Sequence, residues 1–464
     1  VTLHRQRHEP VELDRISENF LIWEEEGYPQ TGCVALHLTG RCDDRALEAA
    51  LFRAMDQEPF FHARLDLAWQ GGRHLFLWRF AAERPGLEVY DHTSGQPPRQ
   101  IGPWFYDRMA PLLGRRMNLE SEFPVRFQLH HLPEDRHLFM FVFHHAVCDA
   151  VRIFTFLRET FAGYHRLVIS AEPPWGSTPS FHNADGNGKP AITPRIRYLE
   201  NLLRDAVRYP LWRVAIPAGD GDGHGQRHML QVQISDRDLL AAMRRRWQRD
   251  EGGLSDLLLA AIDLAVEEWN SRRGIDSDVM LNFLAVNQRG RHPDTRNGAC
   301  RNPMGALPIP VGRQDRGSPE LLLKSIIERR KAGLSSGLDV RFTSDLFGIL
   351  GLCRRLPFPA RKKLLYPLLT PRNTIFLSNA GVIWPAMDGS GSPTGDSAIT
   401  GAGDLEILDV YLSLGCVRTM PLGMVAQTFR RKLYLEFLSW GNRFTQENVS
   451  DFSRLLLRKI AVFL

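Results

Sequence analysis

HLFMFVF-HHAVCDA-VRIFTFLRETFAGY, residues 137–164, decides how this chain is read. The opening run is apolar and rich in Phe and Val, the composition of a buried strand. The closing run sets Val151, Phe154, Leu157, Phe161 and Tyr164 at helical spacing, which predicts a packed helix. His144 and His145 therefore stand where a core strand ends, and Asp149 where a helix begins. A strand end is a rigid mount for a reactive side chain, and the loop beside it can admit a substrate.

Working outward, CVALHL (33–38) and LFLWRF (75–80) read as strands, and PVRFQLHHL (124–132) alternates as a strand should. A helix ends near Glu26, another runs from Asp43 or Asp44 to Met55, and a third spans about Gly102 to Leu113. In the second half HMLQVQI (228–234), VMLNFLAV (279–286), MGALPIPV (304–311) and TIFLSNAGVI (374–383) are strand candidates. Ser235 with Asp238 predicts the start of one helix, Ser255 that of a longer apolar one, and Pro319 that of a third. VYLSLG and the pair around MVAQTFRRKLYLEFL predict a terminal hairpin, and a last helix runs from Glu447 to about Ile460. The stretch 173–190 is rich in Pro, Gly, Ser and Asn and reads as a linker. The expected division is 1–175, a linker at 176–190, and 191–464. AGDGDGHGQ (218–226) lacks the strand-turn-helix setting that phosphate binding needs, and reads as a loop.

The chain has 464 residues, 43% hydrophobic and 24% charged, enough for two cores. Its net charge of +5 comes with arginine far above lysine. No dense basic block interleaved with aromatics signals nucleic acid. Its six cysteines form no CxxC pair, so a zinc ribbon or thioredoxin-like site has no support. The N-terminus has no apolar signal core, and no run reaches the roughly 18 apolar residues of a membrane span. A reducing cytoplasm is the expected home, with peripheral membrane contact left open.

HHAVCDA resembles the HHxxxDG signature of the condensation-domain-like acyltransferase superfamily. RALEAALFRAMDQEPFFHARL (45–65), LAVNQRGRHPDTRNGACRNPMGALPIPV (284–311) and SNAG (378–381) resemble further family segments in the right order. The resemblance implies an α/β fold of two chloramphenicol-acetyltransferase-like subdomains in a V, with mixed sheets, helices and a tunnel between the halves. It implies transfer of an acyl group from a CoA or carrier-protein thioester to a hydroxyl or amine of a small-molecule or lipophilic acceptor. Acyl-CoA or a phosphopantetheine thioester is then a co-substrate, with no permanently bound cofactor and an acyl or peptidyl carrier protein as a partner. The usual Gly after the aspartate is Ala150, and no DFGWG motif is found, which favours a free-standing acyltransferase. Amide-forming nonribosomal peptide condensation is the alternative within the class, and a catalytically silent carrier-docking module the alternative outside it.

On the resemblance His145 is catalytic; a neutral imidazole, with an ordinary pKa near about 6.5, can take the proton of an attacking hydroxyl or amine. His144 points to the opposite side if the pleat continues, and reads as a packing or hydrogen-bonding residue that shapes the loop. Asp149 reads as a helix N-cap, and on the resemblance also as the partner of an arginine from the second half: Arg289, with Arg291 in reserve. Ser378, Asn379 and Gly381 are substrate-binding candidates or a plain turn. Cys148 reads as a small buried residue and not a nucleophile. A metal is not expected, because adjacent histidines on a strand diverge, as do His130 and His131. The run Arg361–Lys363 reads as a solvated helix face, or else a receiver of CoA phosphate or carrier acids.

Overall fold

The computed structural model describes residues 9–94, 101–171, 214–221, 227–289, 291, 302–370, 372–387, 393–415, 417–440 and 443–464. The linker expected at 176–190 and most of the 218–226 loop lie outside the described residues.

Two six-stranded mixed sheets organise the fold. The strand Arg136–His144 lies inside the first, between Thr31–Thr39 and Val125–Leu132. It is buried from His137 to His144, which explains why it reads as continuous apolar sequence and not as an alternation. Gly32 lies opposite Phe143, and a Cβ there would meet the Phe143 ring at 2.4 Å, so this close approach requires glycine. Leu87–Asp91 extends the sheet in parallel at one edge. At the other edge stands Leu405–Ser413, antiparallel to Thr31–Thr39, with Gly401–Ala402 beyond it.

That last pairing corrects two expectations. VYLS does not belong with the terminal hairpin; it crosses into the first sheet. The division expected at 176–190 is therefore not a division of sheets, because residues 401–413 from the second half complete the first.

The second sheet runs Met304–Val311, Met280–Asn287, Ile375–Val382, Leu422–Phe429, Lys432–Trp440 and Arg227–Ile234. Ile375–Val382 is parallel to both neighbours, and the terminal hairpin turns at Arg430 and Arg431, both with positive φ. The helix Leu254–Ser271 is capped at Gly253, whose N–H donates to Asp256 Oδ2 at 2.8 Å; Ser255 lies inside the first turn and is not the cap. Asp236, not Ser235, caps Arg237–Arg249. Ser318 caps Pro319–Ser335, with proline in the first turn where its missing N–H costs nothing.

Two more helices, Leu338–Leu352 and Phe358–Leu369, pack against the first helix of the chain, Arg15–Trp23. Here the reading of Arg361–Lys363 as a solvated face fails at its first residue. Arg361 is fully buried and pairs with Glu18 at 2.6 Å; Glu18 also pairs with the buried Arg354. Two arginines around one buried carboxylate form a structural clamp that keeps Arg361 away from any phosphate. Trp23 strengthens the clamp by donating from its indole nitrogen to Leu369 O at 2.7 Å. Among the described residues no helix is long and apolar enough to cross a membrane.

Candidate active site

The motif strand ends at His144, whose N–H donates to Pro124 O, and the chain then turns sharply, with Val147 N donating back to His144 O. Asp149 is in extended backbone and caps the helix Ala150–Ile169 by accepting from Arg152 N at 3.0 Å. Ala150 is the first helical residue and has no positive φ, so the family's glycine is not needed there.

His144 and His145 diverge. His144 is fully buried, its Nδ1 accepts from Ala146 N at 3.1 Å, and its Nε2 lies 3.3 Å from Glu24 Oε1. Burial pushes the Glu24 carboxyl up, but His144 and Arg116 outweigh it and hold the group below its ordinary range. Arg116, Glu24 and His144 thus tie the loop to the end of the first helix.

His145 N donates to Gln30 O at 2.8 Å. The imidazole stacks on Phe20 of the first helix, centroids 4.7 Å apart and planes 16° from parallel. Nδ1 lies 3.2 Å from Cys148 O and 2.8 Å from Asn302 Nδ2, and that amide also donates to His145 O at 2.7 Å. Nδ1 thus faces an acceptor, Cys148 O, and at shorter range a donor, Asn302 Nδ2: with its proton on Nδ1 the ring offers an Nε2 lone pair to the cavities, and with its proton on Nε2 it accepts from Asn302. Burial pulls the His145 pKa down to about 4, so the ring is neutral at neutral pH. A neutral base in a closed site is the form that can accept a proton.

Asp149 and Arg289 meet in a two-point contact, Nη1 to Oδ2 at 2.6 Å and Nη2 to Oδ1 at 2.8 Å. Burial acts to raise the Asp149 pKa, but the Arg289 charge and hydrogen bonds override it and hold it below the usual carboxylate range. Arg291 goes elsewhere, pairing with the buried Asp339 at 2.8 Å.

Two cavities meet at His145. One, about 110 Å³, lies on the Phe20 side and also reaches Ser378. The other, about 330 Å³, runs past Asp149 and the start of the motif helix to Asn287, Ser378 and Asn379. Ser378 thus borders both, as His145 does. The Asn379 side chain is engaged: Nδ2 donates to Ser255 Oγ at 3.0 Å and Oδ1 accepts from Gly381 N at 2.9 Å. Gly381, at φ +71°, makes the bulge that follows. Phe20, Asn302 and Glu24 had no signal in the sequence. Asn302 sits inside a segment quoted above for its likeness, but an Asn before a Pro reads locally as a turn.

The family model described as "Condensation domain" matches residues 24–280. No curated protein sequence matches. Among solved structures, the first condensation domain of the calcium-dependent antibiotic synthetase, in complex with a substrate analogue, is similar at a TM-score of 0.69 and 14% identity, covering 98% of this chain and 97% of that one. A mutant starter condensation domain of rhizomide synthetase, in complex with C8-CoA and Leu-SNAC, gives 0.65 at 13% identity, covering 98% and 94%. The epimerization domain from the third module of tyrocidine synthetase B gives 0.62 at 14%, covering 99% and 98%. At these identities the structures establish the likeness of fold alone.

Proposed function

The chain belongs to the condensation-domain family, and from that premise we propose that it moves an acyl group from a CoA or carrier-protein thioester to a hydroxyl or amine acceptor, with His145 as the base. The observation that carries this reading is a neutral histidine whose ring borders two cavities at once.

In the step, the acceptor O–H or N–H gives its proton to His145 Nε2 while its heavy atom attacks the thioester carbonyl. The tetrahedral adduct then breaks its C–S bond, and the imidazolium returns the proton to the departing thiolate. Atoms balance as ester or amide plus free thiol. The step requires the tautomer with its proton on Nδ1, which donates to Cys148 O and leaves the Asn302 amide to His145 O, and Phe20 stacks on the ring. Asp149 is a positioning residue: it is committed to Arg289 and to the helix N-terminus, and so takes no proton. Ser378, on the walls of both cavities, is a candidate in the second half for a hydrogen bond to the oxyanion. The solved rhizomide domain holds C8-CoA, which supports trying a CoA donor first.

The test offers one acyl group as CoA ester, holo-carrier thioester, and free acid with ATP, against a panel of alcohols and amines, with products followed by mass spectrometry. Transfer from thioesters is expected, and His145→Ala should lower turnover by roughly 10²–10⁴ without loss of fold. Near-wild-type turnover in that variant, or transfer from the free acid alone, overturns the reading.

A further inference from the structure

The smaller cavity carries an inference about substrate that rests on the acyl-transfer reading. Its walls include Phe20, Trp23, Phe283, Met304, Phe342 and Phe376, and no Asp, Glu, Lys or Arg lines it. Its polar wall groups are neutral: Gln30, Asn373, Ser378, His145 and two threonines already engaged, Thr343 donating to Asp339 O at 2.7 Å and Thr370 to Tyr366 O at 2.6 Å. A substrate ammonium or carboxylate placed here would lose its water and meet no opposite charge, which is costly. At about 110 Å³ the space is somewhat smaller than the roughly 150 Å³ cavity that holds a benzene ring.

The larger cavity differs in kind. Thr155, Asn287 and Asn379, and the ions Asp149 and Arg158, stand on its walls. These side chains are held within the protein, Thr155 on Val151 O, Asn287 on Arg289 and Asn379 on Ser255 and Gly381; what suits this cavity to a long pantetheine arm is its room, about 330 Å³ against about 110 Å³. Two substrates must reach one histidine together, and an arm filling one approach leaves the other for the acceptor.

We propose that the smaller, apolar cavity is the acceptor's, and that the acceptor is an alcohol or amine whose body is apolar and carries no charge beyond the reacting group. A carrier-tethered aminoacyl thioester or a free amino acid does not fit that description.

The test uses hexanol and its ω-amino derivative, which differ at the far end by one ammonium. Calorimetric titration of the full chain without donor should show hexanol binding at least about tenfold more tightly at neutral pH. The same preference should persist in His145→Ala, so a failure of the catalytic reading leaves this result standing. Ala306→Phe, which narrows the cavity from the strand Met304–Val311, should weaken hexanol binding about tenfold. It should leave the acyl-chain-length profile, measured with ethanol as acceptor, where it was. Equal binding of the two alcohols, no binding of hexanol, or a shift of acyl-chain preference in Ala306→Phe would each overturn the assignment. The first two need no variant to fold.

Discussion

Breaking the Asp149–Arg289 contact should damage the protein asymmetrically, and the asymmetry can be worked out in advance. The Asp149 side chain is 10% exposed and that of Arg289 is 24%. At about 4 Å and an effective dielectric of about 20, the charges attract by about 4 kcal/mol, much of it cancelled by the cost of drying them. Arg289→Met strands a buried carboxylate that keeps only its bond from Arg152 N, and should cost about 3 kcal/mol. Asp149→Asn preserves a cap acceptor and leaves an arginine that can turn toward water, for about 1.5 kcal/mol. The double variant should cost about 2 kcal/mol less than the two summed. Urea unfolding of the four proteins, with equal slopes, measures the cycle. The folded Asp149 pKa lies below the ordinary value of 3.8. The coupling is therefore fully present above that value and is lost as pH falls through the depressed one. A coupling below about 0.5 kcal/mol, or Asp149→Asn costing more than Arg289→Met, would refute the reasoning.

Two further predictions concern protons. With an alcohol acceptor, kcat/KM should be flat between about pH 5.5 and 7.5 as far as the base is concerned, because His145 titrates near about 4. An acid limb centred near about 6.5 would mean that the histidine is not buried in the working enzyme. Glu436 is buried where the two sheets meet, accepting from Tyr106 at 2.8 Å, Gln231 at 3.1 Å and Leu412 N at 3.3 Å. Burial pushes its pKa up to about 8, so the protonated form favours folding and that contribution is lost as pH rises from 4.5 toward 8. Glu436→Gln, which keeps the shape, should gain on wild type across that window, by about 3 kcal/mol at neutral pH. Urea midpoints at three pH values would show the gap; one that does not change with pH would rule the mechanism out.

What could be read in the sequence was local. The motif strand and helix stand close to their expected bounds because apolar runs and helical spacing are properties of neighbouring residues. Asp149 could be read both as a cap and as the partner of Arg289, the latter through the likeness to a family and not through any local pattern. What could not be read depends on residues distant in sequence. Nothing near Arg361 announces Glu18, so a buried clamp looked like a charged face. Nothing in VYLS says which sheet it joins, since a strand's partner is chosen by the whole fold. Phe20 and Asn302 are unremarkable alone and become part of the site only when the first helix and the second half close around His145.

The crossing of Leu405–Ser413 into the first sheet has a consequence for how the chain is made. Synthesis delivers the motif strand early, but the free side of Thr31–Thr39 stays bare until residue 413 has emerged. That side, over Cys33–Thr39, is an open row of N–H and C=O groups on a strand buried along almost its whole length in the finished fold. An uncovered edge of this kind is a template for pairing with other chains. While the first half leaves the ribosome, this edge is a liability until it is covered. The cover is the strand that the second half returns to it. The segment that covers this edge is thus among the last to be made.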